Sequence, residues 1–272
     1  MRAIAREVSD NQRTASPAAI GPTARLLSLG RAELTLLGRN KSAMFTTLVL
    51  PVAMAFAMKR AVEGMPLSGA GLSVGTVLLP GTLGFVLVFA VYASLTSAYV
   101  ARREELVLKR LRTGELRDLE ILAGTALPSV VLGLAQCALL VFVGGPVLDA
   151  GLPSAPHLLL AGLALGMVVA VGFAAVSARL TRSTEAAQLT VLPLMLVSMA
   201  GSGMVVPLDV YPERVADVLG LLPLSPAMEL IRAGWTGGGD VKQTLGHLLS
   251  GLAWAGIALF AVQRWFRWEP RR

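Results

Sequence analysis

The sequence predicts an all-α membrane protein. Six transmembrane helices follow an N-terminal interfacial amphipathic helix. A charged cytoplasmic helix separates spans 2 and 3, and short outer helices separate spans 5 and 6. Three observations carry this reading. Of the 272 residues, 54% are apolar and 15% charged, where soluble domains carry about 25% charged residues. The mean hydropathy is +0.67. Uncharged runs long enough to cross a bilayer recur, one crossing taking about 20 apolar residues. These runs are apolar all round, whereas soluble helices keep a polar face.

The spans fall at roughly 42–60, 72–100, 121–147, 157–178, 186–207 and 244–263. The second and third exceed one crossing, so each is expected to tilt, kink or end in an interfacial turn. Residues 1–24, with Pro17 and Pro22 among scattered polar groups, read as a disordered cytoplasmic tail. They resemble neither a secretory signal nor the usual transit peptide. From Arg25 to Lys41, leucines mix with basic residues, which fits a helix lying in the membrane interface. The six-span domain covers 25–265, and 266–272 form a basic cytoplasmic tail.

Lys/Arg-rich segments face the cytoplasm. Residues 1–41 carry seven Lys/Arg, 101–120 six, 178–186 two and 264–272 four; the alternate segments 59–71, 147–158 and 207–243 carry two, none and three. Both termini are therefore expected in the cytoplasm, which requires an even number of spans. The 207–243 segment holds Pro207, Pro212, Pro223 and Pro226 between short apolar stretches. Proline ends helices and fixes turns, so this segment reads as two short helices dipping into or lying on the outer leaflet.

The most informative stretch is Arg102 to Glu120. It holds eleven of the 41 charged residues in nineteen positions. No charge occurs from Gly64 to Ala101, and Asp149 is the only formal charge from Ile121 to Ala178. So dense a charged helix cannot sit in lipid. It must lie on one face of the bilayer, where a partner can grip it. Alternating signs also suit a self-paired exposed helix that only sets topology.

Several chemistries are absent. Gly38-Arg39-Asn40-Lys41-Ser42 lacks the second glycine of a phosphate-binding loop. Leu67-Ser68-Gly69-Ala70 lacks the rest of a transporter-ATPase signature and falls in an expected outer loop. The chain is thus expected to bind no nucleotide itself and to be no enzyme. Span interiors carry no ionisable relay of the kind that proton-coupled carriers use. Gln136 and Gln188 are their most polar groups, each expected to hydrogen-bond a neighbouring helix. Cys137, the single cysteine, excludes an intrachain disulfide or a cysteine metal cluster. The net charge of +7 follows from basic residues flanking the spans, so no nucleic-acid partner is expected. Gly71/Gly75 and Gly162/Gly166 are small-residue pairs that let helices approach closely.

Three features resemble the membrane subunits of type-2 ATP-binding-cassette exporters, especially the daunorubicin-type drug-exporter branch. One is Arg103-Glu104-Glu105, then Leu108-Lys109-Arg110-Leu111-Arg112-Thr113, then Leu119-Glu120-Ile121-Leu122-Ala123-Gly124. Another is Met204-Val205-Val206-Pro207-Leu208, then Pro212, Leu222-Pro223-Leu224-Ser225-Pro226 and Leu230-Ile231-Arg232. The third is the basic amphipathic helix before the first span. The resemblance covers about residues 25–265. The chain departs from the pattern at Leu106-Val107, where the family usually has Gly-Thr, at Gly114, where it often has Pro, and at Gly124-Thr125, where it often has Gly-Lys.

The resemblance implies a permease of the bacterial cytoplasmic membrane. It implies two copies of this chain and two cytoplasmic ATPase subunits, with ATP and Mg on those partners and no cofactor on this chain. The 102–120 segment is then the coupling helix. Leu106, Leu108 and Leu111 would supply apolar contacts to the ATPase, with Glu104, Glu105, Lys109, Arg110 and Arg112 fixing register. Phe85, Phe89, Tyr92, Met195 and Met199 are candidates to line an apolar path between the two copies, or are ordinary bundle core. An apolar path suits an amphipathic drug, natural product or lipid. Two competing readings are an ATPase-independent membrane scaffold or assembly factor and an ion-driven carrier.

Overall fold

A computed structural model describes residues 74–106, 118–148, 150–238 and 240–265, together with positions 35, 53, 57 and 59. The expected first span, the interfacial helix and the two tails otherwise lie outside the described residues. Five helices among the described residues are long and apolar enough to cross a membrane. They are α1 (Val74–Glu104), α2 (Asp118–Val147), α3 (Pro156–Leu180), α4 (Thr184–Gly201) and, last in the chain, α7 (Val241–Arg264). Two short helices, α5 (Glu213–Gly220) and α6 (Ser225–Thr236), stand between α4 and α7. No strand occurs among the described residues.

α1 is the axis of the bundle: 83% of its most apolar stretch is buried, against 17% for α7. Its sequence permits this because no charge interrupts it before Arg102. Leu79, Leu83, Val86, Leu87, Val91 and Leu95 are all fully buried along it. Spans 2 and 3, expected to exceed one crossing, are helices of 31 and 30 residues, each with a π-helical stretch. α1 runs as a π-helix over Val86–Ala93, and α2 does so over Leu140–Gly144. Such insertions bend a helix and occur often at functional sites.

α3 packs most extensively against α6, and also along α1 and α7. The small residues at Gly162 and Gly166 make the α6 contact possible. A Cβ at Gly162 would lie 2.8 Å from both the Ala227 carbonyl oxygen and the Ile231 nitrogen; one at Gly166 would lie 2.6 Å from Leu87 Cδ1. Gly75, in the other predicted pair, faces Ala150 and Leu148; its partner Gly71 lies outside the described residues. Gly162 and Ile231 meet, and further along Leu159 sits against Gly234. α6 therefore runs antiparallel to α3, starting beside Gly166, about 15 Å from the start of α3 at 1.5 Å per residue. The turn between α5 and α6 thus reaches well into the bundle.

That turn is held by side-chain hydrogen bonds to two of its carbonyls. Ser225 Oγ donates to the Leu219 carbonyl at 2.6 Å, and Trp254 Nε1 of α7 donates to the Leu221 carbonyl at 3.0 Å. At its far end α6 closes on the α2–α3 connection: Trp235 Nε1 donates to the Ala150 carbonyl at 3.0 Å. The fifth expected span, 186–207, is shorter than the apolar run suggests. Its helix stops at Gly201, and Gly203 turns the chain with φ +72°.

Candidate functional site

The charged segment leaves the bundle where α1 ends. Its first described residues are not solvated as a block. Arg103 is 1% exposed. Its Nη1 donates to the Ala178 carbonyl at 2.7 Å and its Nη2 to the Thr181 carbonyl at 2.6 Å. Both acceptors belong to the C-terminus of α3, where the last carbonyls have no partner within the helix and the dipole favours a cation. Thr181 turns its own hydroxyl back to the Ser177 carbonyl at 2.7 Å. α3 thus ends on a guanidinium and a threonine.

The next residue does the reverse. Glu104 accepts from the Thr184 backbone N–H at 3.2 Å and from the Thr184 hydroxyl at 2.8 Å. Thr184 is the first residue of α4, and an anion at a helix N-terminus is favoured for the same electrostatic reason. Ser183 completes the cap by accepting from the Ala186 N–H at 3.3 Å. Two consecutive residues of opposite charge therefore address the two helix ends that flank the 181–183 turn, each with the sign that end prefers.

The return of the charged segment is tied as well. Tyr99, buried on α1, donates from its hydroxyl to the Leu122 carbonyl of α2 at 2.9 Å. Four helices, α1 to α4, are thereby joined within a few residues of where the segment leaves and re-enters. The exit itself is sharp. Leu106 lies at φ +59°, the left-handed region that glycine usually fills after a helix. The Leu106 N–H returns to the Arg103 carbonyl at 3.2 Å.

Of the coupling residues drawn from sequence, Glu104, Glu105 and Leu106 are described and exposed. Leu108, Lys109, Arg110, Leu111 and Arg112 lie outside the described residues. The candidate path residues divide between core and edge. Phe85 and Tyr92 are buried in α1, and Tyr92 shares a 2.9 Å hydrogen bond with Ser177 of α3. Phe89, Met195 and Met199 are partly buried against the core. Phe85 and Phe89 are in ring contact, their centroids 6.1 Å apart. Gln136 is buried in α2, while Gln188, expected to bond a neighbouring helix, is exposed on α4.

Sequence reasoning missed Arg103 and Arg232 as buried cations. Arg103 looks like an ordinary member of a charged run and Arg232 stands in a short, mostly apolar stretch, and the acceptors of both are backbone carbonyls far away in the chain. Among the described residues, no three His, Cys, Asp or Glu side chains come together as metal ligands would.

The described residues form a polytopic helical bundle in which Arg103 and Glu104, at the end of α1, hold the α3–α4 turn. The chain matches the ABC-2 type transporter family model over residues 24–235, and it belongs to that family. It is an integral membrane protein and the permease component of an ABC transporter, a family that generally works with an ATP-binding subunit. No curated protein matches the chain.

Proposed function

We propose that this chain is the permease subunit of an ATP-driven exporter of the daunorubicin-type branch. Two copies sit in the bacterial cytoplasmic membrane with both termini in the cytoplasm. Two cytoplasmic ATPase subunits carry the ATP and Mg. The transported molecule is an amphipathic drug, natural product or lipid. The observation that carries this reading is the double tie at the base of the charged segment. Arg103 and Glu104 join that segment to the α3–α4 turn. A push on the 102–120 segment is then delivered to several spans at once, as a coupling element requires. Such a push biases the equilibrium between two arrangements of the subunits.

Leu108, Leu111, Lys109, Arg110 and Arg112 form the remainder of the coupling surface in this account. Phe89, Met195 and Met199, at the edge of the core, are the path residues it favours, with Phe85 and Tyr92 behind them. Reversing charge at Arg110 (Arg110→Glu) is expected to abolish ATPase stimulation by transported substrate while the protein still inserts. Unchanged stimulation in that variant contradicts the coupling role.

A further inference from the structure

The Ser202–Gly203 turn, where the chain leaves α4, is held from α6. The Gly203 carbonyl accepts a 2.6 Å hydrogen bond from Nη2 of Arg232. Arg232 is only 7% exposed. Its Nε and Nη1 donate to no group among the described residues. A guanidinium carries five N–H donors, so most of this one is unused in a place where unmade hydrogen bonds are costly. Glu229 stands one turn earlier on the same helix, and residues three apart on a helix are neighbours. Both side chains converge on the glycine: a Cβ on Gly203 would lie 2.8 Å from Arg232 Nη2 and 3.5 Å from Glu229 Oε1. The absence of that Cβ lets them approach, and φ +72° aims the turn.

We propose that Arg232 is a latch with two seats. In the seat of this structure it grips the Gly203 carbonyl and fastens the end of α4 to α6. In the other it swings to the Glu229 carboxylate and lets the Ser202–Gly203 turn go. The exchange replaces one charge-assisted hydrogen bond with an ion pair on the same helix. Ser202, whose neighbour the latch holds, is fully buried in the latched state. It becomes reachable when the turn releases. The latch rests on the permease reading only for its purpose, which is gating the part of the bundle remote from Arg103.

The test uses the full chain in its membrane, with Cys137 replaced by Ala and Ser202→Cys as a reporter for a small maleimide. Arg232→Gln removes the holding contact and is expected to speed labelling about tenfold. Glu229→Gln weakens the second seat and is expected to slow labelling by a similar factor. The opposite signs are the signature, because a purely structural contact predicts faster labelling in both variants. Slowing by Glu229→Gln supports the latch even if Arg232→Gln does not fold. Unchanged or faster labelling with Glu229→Gln overturns it. Labelling needs neither substrate nor ATPase, so the result stands whether or not the chain proves to be an exporter.

Discussion

Glu104 and Thr184, eighty residues apart in sequence, are joined by two hydrogen bonds at the start of α4. Arg103 holds the end of α3 from the preceding position. The pairing of a cation with a helix C-terminus and an anion with the following N-terminus makes the 181–183 turn a rigid seat for the end of α1.

Arg103→Met leaves two buried carbonyls, of Ala178 and Thr181, without their donor. A loss of about 3 kcal/mol is expected, from charged hydrogen bonds worth about 1.5–3 kcal/mol each. Arg103→Lys keeps the charge but not the fork that reaches both carbonyls, and is expected to fall between Met and the parent. Thermal unfolding of the purified protein in detergent checks the order; Lys no better than Met contradicts it.

Glu104→Gln acts differently, because the carboxylate is exposed. Its contribution to stability is expected to stay below about 1 kcal/mol. Its effect on coupling should be larger than its effect on melting: ATPase stimulation falls several-fold while the unfolding midpoint barely moves. A fall in both to the same degree makes the contact merely structural.

Leu106→Gly relieves a branched side chain of the left-handed conformation at the end of α1. A gain of about 1 kcal/mol is expected, the cost of that region to a residue with a Cβ. A lower unfolding midpoint in this variant contradicts the local geometry.

Gly162→Val and Gly256→Ala form a matched pair. The first drives a Cβ to within 2.8 Å of the α6 backbone, whereas a Cβ at Gly256 meets nothing within 4 Å. Gly162→Val should cost several kcal/mol as α3 and α6 are forced apart. Gly256→Ala should be neutral or stabilise by up to about 1 kcal/mol. Yield and thermal midpoint of the two variants in parallel provide the check.

Much of the fold was legible in charge-free run length. Five of the six expected spans correspond to described helices, because lipid leaves a segment no other way to satisfy its backbone. The end of α4 was misplaced since Ser202, Gly203 and Met204 carry no charge, and hydropathy cannot register a backbone turn at φ +72°. The glycines at 162 and 166 announced a close approach without naming the partner, which is α6 as well as α1. Arg103 was the least legible. In composition it belongs to a solvated charged run, yet it is buried on carbonyls 75 and 78 residues away. Backbone acceptors leave no residue-type signature, so no pattern of side chains could have revealed them.

Coupling of this chain to a separate ATPase underlies the proposed function. The most direct test is purification from its native membrane in mild detergent, with stoichiometry read by mass. Recovery with an ATPase, near two copies of each, is expected. Recovery alone or with unrelated membrane proteins, once cross-linking before extraction has ruled out stripping of a partner, contradicts it and favours a membrane scaffold.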